Sequence, residues 1–290
     1  MRVHLVDGTF ELFRHFFAMP SIADSSGRER GAVLGVVQTL MGMLEGGATH
    51  VGVATDHVIE SFRNPLYPGY KTGEGIDPVL WSQFEPLEEA IDALGVPIWP
   101  MVEVEADDAL AAVAIVAAAD RRVEQVLLCS PDKDLAQCVR GDRVVQLDRR
   151  TRETRNEAGV RARFGVGPES IPDYLALVGD TADGYPGLPG WGAKAAAALL
   201  GTYEHLEKIP HAASEWKNPP RGAAKLAATL REKWEDALLF RKLATLRTDQ
   251  PKVTVDELKY RGPKPEFEAL AESLRRSTLY GKALALGQRS

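Results

Sequence analysis

The chain has only two cysteines, Cys129 and Cys138, in 290 residues. They lack CxxC spacing and a secretory context, so no disulfide framework is expected, and reduced thiols in the cytoplasm are. Long hydrophobic runs are also missing. The longest, Ala109–Ala119, falls short of the roughly 20 residues that span a bilayer, and predicts a buried helix instead. Met-Arg-Val-His-Leu-Val-Asp meets an acidic side chain too early for a signal peptide. There is no repeat and no low-complexity tract. Positive charge is scarce: 35 Lys and Arg face 41 Asp and Glu, a net charge of −6, and Thr72–Asp120 contains no Lys or Arg. A hydrophobic content of 44% with 26% charged residues is that of a globular protein, long enough for a large domain with a smaller one.

What is present is an alternation. Arg2–Val6 reads as a strand ending at Asp7, and Gly31–Leu44 as a helix. His50–Thr55 reads as a strand ending at Asp56. A loop with Pro65, Pro68, Gly69, Gly73 and Gly75 follows, then a helix over Trp81–Leu94 with Phe84, Leu87, Ile91 and Leu94 on one face. Pro97–Val104 is expected as a strand, Ala106–Ala119 as a helix, and Val126–Cys129 and Val144–Leu147 as further strands. Such alternation predicts an α/β fold with a mainly parallel central sheet flanked by helices. In such sheets ligands bind beyond the carboxyl ends of the strands. Beyond residue 165, Gly165–Pro172 reads as a loop, Asp173–Gly179 as a short helix and Asp180–Gly192 as a Gly/Pro-rich turn, with helices to the C-terminus.

Each strand end carries acid: Asp7; Asp56; Glu105 with Asp107 and Asp108; Asp132 with Asp134. One Asp after a strand is usually a cap or turn residue. Four strand ends alike argue for carboxylates converging on cations, because such groups otherwise repel one another. Taken singly, each motif keeps two readings. Glu105-Ala-Asp107-Asp108 offers hard oxygen donors for Mg²⁺ or Mn²⁺, or an acidic first turn suited to the helix dipole. Asp132 and Asp134, two apart in an extended loop, face one way with Lys133 facing elsewhere, or form an Asx turn. Asp180 and Asp183 share one face of a helical turn, as ligands or as a polar helix end. Of the 41 acidic groups these are nine, which leaves 32 against 35 basic ones, so the net charge is a weak objection to binding a polyanion.

Gly187-Leu188-Pro189-Gly190-Trp191-Gly192-Ala193-Lys194 opens an Ala-rich helix and resembles a helix–hairpin–helix DNA-binding element. Its glycines allow close backbone approach to phosphate, and Lys194 adds charge. In order along the chain, Val6-Asp7-Gly8 with Arg14, Asp56 with Ser61-Phe62-Arg63 and Tyr70-Lys71, Glu105-Ala-Asp107-Asp108, Asp132-Lys133-Asp134-Leu135, Gly179-Asp180 through Asp183 to Pro186-Gly187, and Leu243-Ala244-Thr245 with Arg247-Thr248-Asp249 resemble the 5′-nuclease family. That family comprises flap endonucleases and the 5′-to-3′ exonuclease domain of bacterial DNA polymerase I. No polymerase region follows Ser290, so a stand-alone member is expected.

The resemblance implies a PIN-like 5′-nuclease fold. It would have an α/β core over 1–165 with an arch region at about 65–95, and a helical region over 166–290. The latter would carry a helix–hairpin–helix element at about 173–205 and C-terminal helices packed back on the core. It also implies two Mg²⁺ or Mn²⁺ ions: Asp7, Asp56, Glu105, Asp107 and Asp108 around the first, Asp132, Asp134, Asp180 and Asp183 around the second. Lys71 would join the first set in catalysis, supporting the scissile phosphate, and K⁺ in the helix–hairpin–helix turn is a further family feature. DNA contacts would come from Arg14, Arg63, Tyr70, Lys71, Gly187, Gly190, Gly192 and Lys194. The expected activity is two-metal hydrolysis of DNA at 5′ ends, flaps, gaps or nicks, by a monomer in the cytoplasm (at the nucleoid if bacterial) and without a membrane.

The match fails in places. The expected arch carries Glu74, Asp77, Glu85, Glu88, Glu89 and Asp92 where relatives are basic, which predicts weaker capture of 5′ flaps. Phe10 replaces a common tyrosine and Gly184 a common asparagine. Two other functions compete: a branched-DNA binder with little activity, favoured by the poor arch, and an RNA 5′-nuclease, disfavoured by the Gly187–Lys194 segment.

Overall fold

Apolar, β-branched runs flanked by turn residues form the strands. The computed structural model describes residues 1–289, which form two compact units: residues 1–59, 73–130 and 247–289 make the first, and 60–72 and 131–246 the second.

In the first unit β1 (Arg2–Asp7), β2 (His50–Asp56), β3 (Ile98–Met101) and β4 (Gln125–Cys129) are parallel, in the order β3-β2-β1-β4. Helices α1 (Gly8–Ala18) and α2 (Gly31–Glu45) link β1 to β2, and α3 (Pro78–Trp81) and α4 (Phe84–Leu94) link β2 to β3. Helix α5 (Ala106–Ala119) then carries the chain to β4 on the other side of β1. The winding reverses between β1 and β4, and a doubly wound sheet opens its ligand crevice at such a point. Nearly every side chain on the inner faces of β1, β2, β4 and α5 is buried, each large one contributing about 1.5–3 kcal/mol.

Three expected elements differ. Helix α1 is additional. The helix expected over Trp81–Leu94 breaks before Phe84, where the buried Gln83 accepts the Ala32 and Val33 amides at 3.2 and 3.3 Å and so caps α2 from a distance. The third strand is only Ile98–Met101. Helix α4 buries Leu87, Ile91 and Leu94 and packs on α2 and on α11 (Glu266–Ser273), which is followed by α12 (Thr278–Gly287).

The second unit holds the antiparallel pair β5 (Val144–Asp148) and β6 (Glu153–Arg155), then α6 (Glu157–Phe164), α7 (Ile171–Val178), α8 (Ala193–Tyr203), α9 (Ala223–Glu232) and α10 (Trp234–Ala244). Its core joins α7, α8 and α10 through Leu175, Leu199 and Leu243. Tyr185 stacks on Phe240 at 5.6 Å, and Tyr67 meets the same ring edge-on, which ties residues 60–72 into this unit. Among the described residues no helix is long and apolar enough to cross a membrane.

Candidate metal centre

In the first unit the acidic strand ends fix the starts of helices. Asp7 Oδ1 accepts the Phe10 amide at 2.8 Å and caps α1, while Oδ2 accepts from Ser130 Oγ at 3.1 Å, just beyond β4. Asp56 Oδ1 accepts the Ala106 amide at 2.8 Å, binding the end of β2 to the start of α5. Glu105 and Asp108 form a reciprocal capping box, with Asp108 Oδ2 on the Glu105 amide at 2.9 Å. Capping and ion binding are therefore compatible: a capping bond fixes the carboxylate while leaving other lone pairs to a cation. Asp108 is tied to the backbone through both oxygens. It is fully buried, and its Oδ1 also accepts the Arg247 amide at 2.7 Å, so both oxygens serve backbone N–H groups and hold Glu105 in position. Asp107 stands partly exposed on the first turn of α5.

In the second unit Asp134, Asp180 and Asp183 each bring a carboxylate oxygen within 4.8 Å of the others. Asp132 Oδ1 accepts the Asp134 amide at 2.9 Å and fixes that turn. Two expectations are corrected here. Lys133 has helical backbone angles (φ −69°, ψ −36°), not extended ones, and its Nζ lies 2.6 Å from Asp180 Oδ2. Asp180 and Asp183 are gathered by a tight reversal, not a helical turn: Asp180 and Tyr185 exchange backbone bonds of 2.9 and 3.1 Å.

The second set fits a hard divalent ion. Octahedral coordination at about 2.1 Å puts oxygens roughly 3–4 Å apart. Asp134 Oδ1 is buried and has no hydrogen-bond partner among the described residues. Burial, then the charges of Asp132, Asp183 and Asp180, push the Asp134 carboxyl well above the usual carboxylate range, against the pull of Arg63. A cation removes that penalty. Sequence reasoning missed Tyr185. Its buried hydroxyl lacks a partner among the described residues, and burial followed by the same four carboxylates pushes the phenol up. No pattern in the sequence marked it.

Lys71 Nζ lies 3.0 Å from Asp183 Oδ1, and the Lys71 amide donates to Asp183 O at 2.9 Å. Gly184, in the asparagine position, makes that approach possible. Its φ is +87°, and a Cβ there would stand 2.2 Å from Gly69 O. Gly184→Ala is expected to cost about 1–3 kcal/mol and to shift Tyr70-Lys71 off Asp183. Thermal melting and a cleavage rate check this, and an unchanged pair of values would contradict it.

The expected DNA contacts divide. Arg63 is 1% exposed, its Nε–H donating to Leu243 O at 2.7 Å and an Nη2–H to Thr245 O at 3.3 Å, so it is an internal clamp and not a surface contact. Tyr70 is likewise buried, within the second unit's core. Arg14 is half-exposed, with its Nε–H on Glu11 Oε2 at 3.1 Å. Gly187 (φ +68°) serves internal packing, since a Cβ would lie 2.3 Å from Gly179 N. Gly190 and Gly192 have open space around them, and Lys194 is exposed on the first turn of α8, as a backbone-contacting turn requires.

The family described as the 5′-3′ exonuclease N-terminal resolvase-like domain matches residues 2–165, and its C-terminal SAM fold matches 166–266. DNA polymerase I of Pseudomonas aeruginosa is 39% identical over 278 residues, which cover 92% of this chain and only 29% of that protein. The 5′-3′ exonuclease of Aquifex aeolicus is 31% identical over 276 residues, covering 94% of this chain and 90% of that one. The fold is that of the T5 D15 protein co-crystallised with metal ions, at TM-score 0.66 and 21% identity over 99% of this chain and 100% of that one. It is also that of flap endonuclease-1 from Methanococcus jannaschii, at TM-score 0.62 and 16% identity over 99% and 93%. With the acidic strand ends, the Asp134 cluster and both family domains in sequence order, the chain belongs to the 5′-3′ exonuclease family.

Proposed function

We propose that this chain is a structure-dependent 5′-nuclease that hydrolyses DNA at 5′ ends, flaps, gaps or nicks with Mg²⁺ or Mn²⁺. The observation that carries the reading is the Asp134–Asp180–Asp183 cluster with its buried, unpartnered oxygen. The T5 D15 protein was crystallised with metal ions, and a variant of it as a pseudo-enzyme-product complex with DNA and metal ions, which supports carrying both ligands over.

When bound, the cations supply a lowered water pKa and Lewis acidity toward phosphoryl oxygen. Asp134, Asp180 and Asp183 would hold one, with Asp132 fixing the turn of Asp134. Asp7, Asp56, Glu105, Asp107 and Asp108 would hold the other, Asp108 also fixing the Glu105 amide. Lys71 offers a fixed positive charge to the phosphate. Water oxygen becomes bonded to phosphorus, and the sugar oxygen leaves with a proton. Gly190, Gly192 and Lys194 hold the duplex backbone. The protein acts as a monomer in the cytoplasm, the setting that fits a bacterial DNA-processing enzyme.

Matched flap, gapped, nicked and blunt DNA, each with Mn²⁺ or with EDTA, tests the reading. Cation-dependent release of 5′ products is expected, with Asp180→Ala slowing it by at least about 100-fold while DNA binding persists. Tight binding without cation-dependent cutting would make the chain a branched-DNA binder, and preference for a ribonucleotide 5′ arm would make it an RNA nuclease.

A further inference from the structure

The stretch Thr72–Asp120 lacks basic residues, but the fold brings two from elsewhere. Arg28 and Arg30, between α1 and α2, line a cavity of about 670 Å³ together with His57, Trp81, Phe84 and Glu85. That volume lies within the roughly 300–1,000 Å³ of small-molecule sites. Arg30 is fixed, its Nη1–H donating to Glu29 O at 2.8 Å and, more weakly, to Ser82 O at 3.4 Å. Arg28 is 70% exposed at its side chain, held only at Nε by Ser26 Oγ at 2.9 Å and, at 3.5 Å, by Asp24. His57 Nδ1 lies 2.8 Å from Glu88 Oε2, and Thr55 Oγ–H donates to the other oxygen of that buried carboxylate at 2.8 Å. Nε2 of the neutral ring is then an acceptor.

Charge does not explain this cavity. Glu29 and Glu85 in its wall offset the two arginines, and Glu29 is already engaged by Ser21 Oγ and by the Ile22 and Gly31 amides. Its distinguishing feature is an aromatic surface. Trp81 is 44% exposed, and its ring is backed by the buried Phe84 at 5.1 Å and 31°. An open indole face beside arginine donors is the arrangement that holds single-stranded nucleic acid, where base stacking supplies affinity and arginine meets phosphate.

We propose that this cavity receives an unpaired nucleotide of the DNA strand, its base stacked on Trp81 and its phosphate reached by Arg28. The inference rests on the 5′-nuclease reading above. A stacking site of this kind makes capture of an unpaired strand depend on the base and not on the local charge alone.

The test is equilibrium binding in EDTA, where hydrolysis plays no part, of a 5′-flapped duplex, the same duplex with an abasic flap, and a blunt duplex. Trp81→Ala is expected to weaken binding of the normal flap by on the order of tenfold, leaving blunt-duplex binding unchanged, and Trp81→Phe to restore most of the loss. An abasic flap is expected to lose the same advantage on the unaltered protein. Arg28→Gln is expected to flatten the salt dependence of flap binding. Equal binding of flap and blunt DNA by Trp81→Ala and the unaltered protein overturns the proposal. So does an equal loss on both substrates with a lowered melting temperature, which would make Trp81 structural. If the unaltered protein cuts flaps but binds abasic and normal flaps alike, the stacking site falls and the nuclease reading survives. If it neither binds nor cuts DNA, both fall.

Discussion

Asp134→Asn is expected to slow DNA cleavage by on the order of 1,000-fold, about 4 kcal/mol of transition-state stabilisation, and at the same time to raise the melting temperature of the metal-free protein. The two effects have opposite signs because one carboxylate serves both. Burial and three neighbouring carboxylates raise its folded pKa above the unfolded value near 3.8. Between those two values the folded chain binds more protons than the unfolded one, so this group's contribution to stability falls as pH rises. Asn removes the falling contribution. The gain should therefore be absent below about pH 4 and grow toward alkaline pH. Mn²⁺ should raise the melting temperature of the unaltered protein and much less that of the variant, since the ion supplies the missing countercharge. Thermal melts across pH, with and without Mn²⁺, and single-turnover cleavage check this. Cleavage at the unaltered rate, or a variant that melts lower at every pH, would remove Asp134 from the metal centre.

Arg63→Met is expected to destabilise the fold by about 3–5 kcal/mol, a drop in melting temperature of roughly 10 °C. The guanidinium is 1% exposed and satisfies Leu243 O and Thr245 O, and Met leaves those carbonyls without these donors. It also removes a cation that pulls the Asp134 carboxyl down, so that carboxyl should rise further. A residue that touched DNA would behave otherwise: the melting temperature would hold, and the dissociation constant and its salt dependence would change. That outcome would return Arg63 to the DNA interface.

The contrast between these two residues marks how far the sequence could be read. Asp7 and Asp56 were legible because parallel strands end where ligands bind, and the alternation of apolar strands and helices located those ends. Residue type also announced the carboxylates around Asp134. Direction was not legible. Asp108 turns both oxygens to backbone amides, Lys133 turns toward Asp180, and Arg63 turns inward, each according to local backbone angles and distant partners. Helix α1 escaped notice because its four phenylalanines blur a single apolar face; Phe10 and Phe17 stay exposed. The break before Phe84 depended on Gln83 reaching α2, a contact fifty residues away in sequence. Tyr185 carried no motif, and only its position among four acids singles it out.

The two units alternate along the chain in five segments, 1–59, 60–72, 73–130, 131–246 and 247–289. The sheet-bearing unit therefore has pieces on both sides of the other unit along the chain. Its remaining piece, α11, α12 and the Arg247 amide that Asp108 accepts, follows the whole of the other unit. A chain cut after residue 246 would leave Asp108 without the Arg247 amide that helps hold Glu105 in position. The support of Glu105 thus depends on a residue more than a hundred positions further along the chain.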